Sequence, residues 1–436
     1  MSTLWSGIPV GVQHGLMFAL LISPTVVLAF VMMRGHRPLP LSLALLRSNL
    51  WTSFGFMLLI AVSIAIGVGL IAQERSFRVG TAQAAEKFDL IIGAPGSETS
   101  LLFATVFLQP TPVGLLDGTT FDEIAGHERT DMAAPIGLGD SFEGSTVVGT
   151  TAELISHLGG LSAGRLWTAE LEAIAGADAP VTIGDRLEPA HGHGEAADED
   201  LHEGLFYEVV GQMARTNSPW DRAIIVPIEA VWSTHGLANG HAPERGDQLG
   251  PPFDAAFFPG TSAVVVVADS LSGTYQMHSD FTGDTRTMAI LPGAVLGYLY
   301  RVIGDARSVA TGLVWTSLAL VAFAVLGGLA ILSRYFIRHL AVLRAIGAPL
   351  RFVSATIWFF ATLILGGGVL LGCLGSFAAV FVIGAIVSQR SGINLPAQFG
   401  WTEAHLLAGF LSLAVLFAAV IATRLAHSAN PITLRS

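Results

Sequence analysis

The chain has 436 residues, of which 52% are hydrophobic and only 13% are charged, and its formal net charge is −11. A soluble domain carries about a quarter charged residues, so this composition excludes an ordinary soluble enzyme. The apolar residues are concentrated at both ends of the chain, whereas the middle has the composition of a soluble domain. This segregation predicts a multi-span membrane protein with one large domain outside the bilayer. The acidic charge lies largely in that domain, which argues against nucleic acid as a partner.

Five apolar stretches are long enough to cross a bilayer, which takes roughly 20 helical residues. They are residues 15–33, 54–72, 309–332, 354–387 and 404–422. Few charged residues lie inside them, which argues against a proton relay or a charged ion path through the helices. We therefore predict an α-helical membrane protein with five transmembrane helices and a large α+β extracytoplasmic domain between the second and the third.

The first stretch has a cleaved signal peptide as its alternative interpretation. A signal peptide needs a basic start and a small-residue cleavage site. Residues 1–13 contain no Lys or Arg, and the stretch ends with bulky residues up to Met33. We therefore expect a retained helix, kinked at Pro24 in a way that membrane helices tolerate.

Residues 39–50 have apolar side chains at helical spacing and predict an amphipathic helix on the inner membrane face, or else the start of the next long helix. In the large domain we expect residues 76–87 to continue the second span as a helix. Predicted strands are residues 88–92, 145–149, 207–212, 223–227 and 263–268, and predicted helices are residues 151–158, 166–175, 228–235 and 292–303. Strands mixed with helices and no regular βαβ repeat favour an α+β fold. Asp221 and Arg222 could pin a turn by pairing.

A polar loop between residues 187 and 204 combines acidic residues with His191, His193 and His202. Imidazole and carboxylate groups together suit Zn²⁺ or a similar divalent ion. The alternative is a solvated acidic loop that contains histidines by chance, and a loop cannot preorganise a tight site. We therefore expect weak zinc binding at most, and no other cofactor in this chain.

After the third span, residues 333–349 read SRYFIRHLAVLRAIGAP. Phe336, Leu340, Leu343 and Ile346 fall near one face, and Gly347 with Pro349 ends the helix. The segment predicts a short basic amphipathic helix at the cytoplasmic membrane surface.

The fourth stretch is longer than a bilayer requires and contains three consecutive glycines at residues 366–368, which predicts a tilt or a bend. Gly368 and Gly372 have the small-x-x-x-small spacing of tightly packed membrane helices. They predict close helix contacts or dimerisation. The single cysteine, Cys373, lies in the same stretch, so no disulfide is expected in the large domain.

Arginines distinguish the two sides of the predicted membrane. Short connections on one side hold Arg34, Arg37, Arg47, Arg334, Arg338, Arg344, Arg351, Arg424 and Arg435, and the loop after residue 387 on the other side holds only Arg390. The positive-inside rule then places the N-terminus outside, the C-terminus inside and residues 73–305 outside. The predicted segments are an extra N-terminal transmembrane helix (1–38), an amphipathic and a transmembrane helix (39–72), the extracytoplasmic domain (73–305), a transmembrane helix (306–332), a cytoplasmic helix (333–350) and two transmembrane helices with the C-terminus (351–436).

The nucleotide-binding motif of ATPases and the zinc-protease motif are missing from the sequence. It contains no Gly-x-x-x-x-Gly-Lys-Ser/Thr and no His-Glu-x-x-His, and its only lysine is Lys87. A buried lone cysteine is a poor nucleophile. We therefore expect that the chain is not an enzyme, and that a separate subunit supplies any energy it uses.

Residues 339–348 (HLAVLRAIGA) resemble the coupling helix of the FtsX-like, MacB-like permease family of ABC transporters. Residues 429–435 (ANPITLR) are similar to the C-terminal signature of that family, and residues 87–94 and 207–232 resemble the extracytoplasmic core of one subgroup. Two features depart from the family pattern. Residues 1–36 add to its usual four-span plan, and His339 and Leu340 stand where a Glu is often found.

The resemblance implies a mechanotransmission permease in a bacterial inner membrane. Its cytoplasmic ATPase partner would bind ATP and contact Arg338, His339, Leu340, Leu343, Arg344, Ile346 and Gly347. The permease would form a homodimer or pair with a second permease in membrane lipid, and a periplasmic binding or adaptor protein is a further candidate partner. ATP hydrolysis would move the periplasmic domain (73–305) to export or extract an envelope substrate, with metal or siderophore handling as one candidate. The alternative is a non-transporting regulator that acts on an envelope enzyme or senses a periplasmic ligand.

Overall fold

The computed structural model describes residues 7–191, 204–335 and 337–428. The helices are α1 (Val10–Met33), α2 (Leu39–Ser48), α3 (Leu50–Ala85), α4 (Glu98–Thr105), α5 (Gly118–Ala125), α6 (Ala152–Leu158), α7 (Ile228–Thr234), α8 (Leu271–Thr282), α9 (Pro292–Tyr335), α10 (Ile337–Ala345), α11 (Leu350–Ser391) and α12 (Trp401–Ser428). The strands are β1 (Leu90–Gly93), β2 (Thr130–Phe142), β3 (Ser145–Thr150), β4 (Leu161–Gly164), β5 (Glu172–Ala175), β6 (Arg186–Leu187), β7 (Ala190–His191), β8 (Tyr207–Met213), β9 (Ile224–Pro227), β10 (Ala263–Ala268) and β11 (Met288–Ile290).

The chain forms two compact units. The helical unit comprises Met1–Ser76, Asp305–Gly384 and Ala397–Ser436, and the α/β unit comprises Phe77–Gly304 and Ala385–Pro396. The extracytoplasmic domain predicted from the sequence, residues 73–305, therefore lacks one segment of the α/β unit. This segment, Ala385–Pro396, follows the fourth predicted span. In that segment Asn394 donates a side-chain hydrogen bond to Asn217 Oδ1 over 3.1 Å.

Four helices of the described chain, α1, α3, α11 and α12, are long and apolar enough to cross a membrane. The described apolar part of α9, Thr311–Val325, is shorter than a span, so the third predicted span and the count of five stay predictions. α2 is a helix of its own, because the backbone leaves the helical conformation at Asn49 (φ −129°, ψ 44°). α11 is helical throughout, so the three glycines do not interrupt it.

Close contacts show which helices of the helical unit run in the same direction. Along α3 and α11, Ile60 contacts Gly368 and Ile64 contacts Gly372, so these two helices run parallel. Along α3 and α9, Gly67 lies against Val314 whereas Phe56 lies against Gly328, so this pair is antiparallel. If α3, α9 and α11 cross a bilayer one after the other, α9 must run opposite to α3 and α11, as these contacts show.

The α/β unit is built on one mixed sheet with the strand order β11-β1-β10-β2-β3-β9-β5-β8-β4, to which β6 and β7 add at β8 and β2. Only the β3–β9 and β5–β8 pairs are parallel among the described strands. Successive side chains of a strand face opposite sides, and in the central strands β1, β9 and β10 side chains on both faces are buried. In β10, Val265 joins one core cluster, while Val264 and Val266 join the other. A continuous apolar run is what a strand covered on both faces requires.

Two sequence-based assignments in this unit are wrong. Residues 166–175, predicted as a helix, form no helix; the second part of this range is the strand β5, which pairs with both β8 and β9. Ala173, Ile174 and Ala175 are all fully buried there, so pairing within the sheet overrides the helix propensity of alanine. The turn at Asp221 is not held by Arg222: the buried carboxylate accepts hydrogen bonds from the backbone N–H groups of Thr216 (2.6 Å) and Asn217 (2.9 Å).

Candidate functional site

The helix α10 connects two long apolar helices and presents two different faces. Ala341 is fully buried, and Leu343 packs against the apolar core of the helical unit. On the other face Val342 is 50% exposed, and Ile346, which directly follows α10 and donates its N–H to Val342 O, is 77% exposed. The two exposed residues are four positions apart and therefore neighbours on the helix surface. The exposed apolar pair therefore lies on the side of the helix away from the core of the helical unit.

The end of α10 is set by Gly347. Its φ of +103° is in the left-handed region that glycine adopts at low cost. The N–H of Ala348 donates to Leu343 O (3.0 Å), and the N–H of Gly347 donates to Arg344 O (3.1 Å). These two bonds form a Schellman motif, which satisfies the last carbonyl groups of the helix. The motif fixes the point at which the chain leaves the exposed face.

The structure divides the predicted coupling residues into different environments. Leu343, predicted as a residue that contacts the ATPase, packs against the apolar core of the helical unit, whereas Ile346 and Gly347 are exposed. Arg338, His339 and Leu340 lie in the first turns of α10, and their side chains fall outside the described residues. Sequence reasoning missed Val342. Its position four residues before Ile346 was the available signal.

The N-terminal helix α1 packs along α12 through polar as well as apolar contacts. Thr25 Oγ1 and Ser412 Oγ are 3.0 Å apart, and Ser412 Oγ donates to Leu21 O over 2.5 Å. Nearer the helix starts, His14 stacks on Trp401 with ring centroids 5.7 Å apart. Residue numbers rise together along the two helices, so α1 and α12 run parallel.

An ion pair joins α3 to the start of α12. Arg75 Nη1 lies 2.9 Å from Glu403 Oε2, and the carboxylate also accepts the backbone N–H of Gly400 over 2.9 Å. The side chains of Arg75 and Glu403 are 18% and 2% exposed. A Cβ at Gly400 would overlap the guanidinium, so only glycine leaves room for Arg75 in this position.

The small-residue spacing in α11 produces the close helix packing that it predicts, within one chain. A Cβ at Gly368 would lie 2.7 Å from Ile60 Cβ, and one at Gly372 would lie 2.7 Å from Ile64 Cβ. α3 therefore occupies the glycine face of α11. Because this face is filled within the chain, it is not available for dimerisation.

The predicted metal residues lie largely outside the described chain. His193 and His202 fall outside it, and His191 ends β7 with only its backbone described. Among the described side chains there is no group of three or more His, Cys, Asp or Glu residues that could hold a metal ion. Zinc binding at the three histidines stays a prediction.

A buried titratable pair lies in the α/β unit. His241 Nε2 is 3.5 Å from Glu229 Oε1, and the N–H of Gly250 donates to the same carboxyl oxygen over 2.6 Å. Burial raises the pKa of Glu229 to about 7. Burial also lowers the pKa of His241, and the charge of Arg245 lowers it further. Both groups are therefore favoured in their neutral forms, and they join α7 to the segment that follows it.

Comparison with known proteins gives structural likenesses only. No family model matches the chain, and no curated protein matches it. The periplasmic region of MacB from Actinobacillus actinomycetemcomitans is similar at a TM-score of 0.30 and 8% identity, covering 49% of this chain and 94% of that one. The extracellular domain of the ABC-type transporter YknZ from Gram-positive bacteria is similar at a TM-score of 0.27 and 12% identity, covering 46% of this chain and 98% of that one.

Proposed function

We propose that the chain is the permease subunit of an ABC transporter complex in which a separate cytoplasmic ATPase supplies the energy. The observation that carries the proposal is the exposed apolar face of α10, formed by Val342 and Ile346 between two long apolar helices. The resemblance of residues 339–348 to a coupling helix supports the same assignment. Because the sequence has no nucleotide-binding motif, ATP would bind to the partner subunit.

The proposed orientation puts α10 on the cytoplasmic side and the α/β unit outside a bacterial inner membrane. The arginine distribution supports this orientation. The helix directions also support it, since α1 runs parallel to α12, α3 runs parallel to α11, and α9 runs antiparallel to α3. With five spans the chain would begin outside and end inside.

In the proposed mechanism the ATPase pushes on α10, and the push reaches the α/β unit through α3 and α9. Each of these helices has residues in both units, because Ser76 and Asp305 mark the boundaries within them. On the inner side α2 is tied to α11 by a hydrogen bond from Ser42 Oγ to Thr356 O of 2.9 Å. Two permease copies, or this chain and a second permease, would work with two ATPase subunits to export or extract an envelope substrate.

The test is ATP hydrolysis by a complex purified through the full-length chain from its native membranes. We expect an ATPase subunit to copurify, and we expect Val342→Glu combined with Ile346→Glu to remove that subunit and its stimulated hydrolysis. Ile346→Leu is the matched control, because it keeps an apolar side chain of similar volume. Leu343 is unsuitable for this test because it packs against the core.

Normal stimulated hydrolysis in the double variant would overturn the assignment of α10. Membrane insertion and the thermal unfolding temperature of the double variant should equal those of the wild type. A drop in either would instead point to a damaged fold, and Ile346→Glu alone would then be used, since this side chain is the more exposed of the two.

A further inference from the structure

Two arginines of the α/β unit, Arg222 and Arg390, line one cavity of about 210 Å³. They come from distant parts of the chain: Arg222 ends the short 3₁₀ helix Pro219–Arg222, and Arg390 lies in the last turn of α11. Among the described residues that line this cavity there is no Asp or Glu. The cavity therefore has two positive charges on its wall and no carboxylate to neutralise them.

Other arginines of the same unit do neutralise carboxylates. Six of them form an ion pair with an Asp or a Glu, namely Arg129, Arg165, Arg186, Arg215, Arg245 and Arg286. Within the described part of the chain, the guanidinium groups of Arg222 and Arg390 have neither a hydrogen bond nor an ion pair. The net charge of the chain is −11, so carboxylates are not scarce. The two arginines are left unpaired where the fold brings them to one cavity.

The carboxylate next to Arg222 in the sequence is engaged by other groups. Asp221 accepts the backbone N–H groups of Thr216 (2.6 Å) and Asn217 (2.9 Å). Its ion-pair partner is Arg215, whose Nη1 lies 3.9 Å from Asp221 Oδ2. The turn is therefore complete without Arg222, whose guanidinium is left to the cavity.

The segment that follows α11 is held against the turn that begins at Pro219. At Gly392 the backbone has a φ of +71°, and a Cβ there would lie 2.8 Å from Pro219 Cα. Two residues later Asn394 donates a side-chain hydrogen bond to Asn217 Oδ1 over 3.1 Å. The two elements that carry the arginines are thus held together by backbone packing and by a hydrogen bond.

The rest of the cavity wall combines hydroxyl groups with apolar side chains. Thr146 and Ser391 line it, as do Phe107 and Leu108, which belong to the adjoining apolar core. Sites for drug-sized ligands have volumes of about 300–1,000 Å³, so this smaller cavity fits a single charged group rather than a whole large ligand.

We propose that Arg222 and Arg390 form a binding site for the phosphate group of an anionic ligand. Guanidinium groups bind phosphate oxygens through paired N–H donors, and a phosphate group has enough oxygen atoms to accept from both arginines. Arg390 is the residue before the end of α11, a helix long and apolar enough to cross a membrane. Arginines near the ends of such helices reach the level of the lipid head groups. A phospholipid head group is therefore one source of the phosphate, and a soluble phosphate compound is the other. The site does not depend on the proposed transport function.

The experiment follows thermal unfolding of the purified full-length chain in a nonionic detergent. One series adds inorganic phosphate against chloride at equal ionic strength, and the other adds phosphatidylglycerol to the micelles. We expect at least one of these probes to raise the Tm of the wild type. The apparent affinity for that probe should be at least tenfold weaker in Arg222→Gln and in Arg390→Gln. Arg301→Gln is the matched control, because Arg301 is an exposed arginine of the same unit that does not line the cavity.

The two probes distinguish the sources of the phosphate group. A response to phosphatidylglycerol alone, lost in the two variants, would assign the site to a lipid head group. A response to inorganic phosphate, lost in the same variants, would show that the phosphate group is bound without a lipid.

The proposal would be wrong if neither probe raised the Tm of the wild type, or if both cavity variants responded as the wild type does. An equal loss of response in Arg301→Gln would also overturn it, since that would indicate a general effect of surface charge. If Arg222→Gln unfolds the domain, Arg390→Gln decides alone, because Arg390 is exposed at the end of a helix and its replacement should leave the fold intact.

Discussion

Arg75 and Glu403 form a nearly buried ion pair, with 2.9 Å between Nη1 and Oε2, that joins the middle of α3 to the first turn of α12. The carboxylate is 2% exposed and depends on the guanidinium and the N–H of Gly400 for its stabilisation. Removing one partner of a buried pair costs more than removing both, because a lone buried charge remains.

We therefore expect Arg75→Met to lower the free energy of unfolding of the helical unit by about 3 kcal/mol. The double variant Arg75→Met with Glu403→Leu should recover most of that loss. Thermal unfolding of the full chain in detergent provides the measurement, analysed as a double-mutant cycle. Additive effects of the two substitutions would show that the pair contributes no coupling energy.

The glycine face of α11 provides a second prediction. Gly372→Ala would place a Cβ 2.9 Å from the backbone oxygen of Ala61, so α3 and α11 must separate. Overpacking of this kind costs about 1–3 kcal/mol, and the Tm should fall. Gly366→Ala is the control in the same helix, because nothing lies within 4 Å of its added Cβ. Equal unfolding temperatures for the two variants would contradict the close packing.

Because Glu229 is buried, the stability of the α/β unit should depend on pH. Its pKa is about 7 in the folded chain, against an ordinary value of 4.5. Between these two pH values the unfolded carboxyl ionises while the folded one keeps its proton, so the unfolded state binds fewer protons. Stability from this group is therefore complete below pH 4.5 and is lost as pH rises to about 7, by roughly 3 kcal/mol at most.

Glu229→Gln should remove this loss and leave the α/β unit more stable than the wild type at pH 7.5. His241 acts in the opposite direction: its lowered pKa gives stability that is present above pH 6.5 and is lost as pH falls. The difference between Glu229→Gln and wild type isolates the carboxyl. Tryptophan fluorescence can follow unfolding from pH 4.5 to 7.5, since Trp232 is buried in this unit. A difference that does not change with pH would show that Glu229 has an ordinary pKa.

Substitution of Gly347 should impair the coupling between α10 and the ATPase without changing the exposed side chains of Val342 and Ile346. Gly347→Ala forces a residue with a Cβ into the left-handed region, at a cost of about 1–2 kcal/mol, and should shift the end of α10. Gly347→Asn is the matched variant, because asparagine tolerates this conformation better. We expect stimulated ATP hydrolysis to fall in the alanine variant and to be largely retained in the asparagine variant. Equal rates of stimulated hydrolysis for the two variants would show that the backbone conformation at the end of α10 does not affect coupling to the ATPase.

The sequence predicts the parts of this fold whose signals are local. The valines of β10 form an unbroken apolar run, and α2 has apolar residues at helical spacing, so the sequence predicts both elements. The sequence does not predict β2, because Pro135, Gly137 and Gly139 interrupt its pattern. The meeting of Arg222 and Arg390 at one cavity depends on which elements pack together in the folded unit. No spacing in the chain could have indicated it.

The helix α1 has no fully buried residue among those described, and its polar contacts to α12 come from a few side chains. The apolar core of the helical unit is instead filled by α3, α9, α11 and α12. α1 therefore packs against the edge of this core through Leu28, Ala29 and Met32, and its start lies away from it. For an experimenter, the start of α1 is thus a place where a label or tag would report on the complex without perturbing its centre.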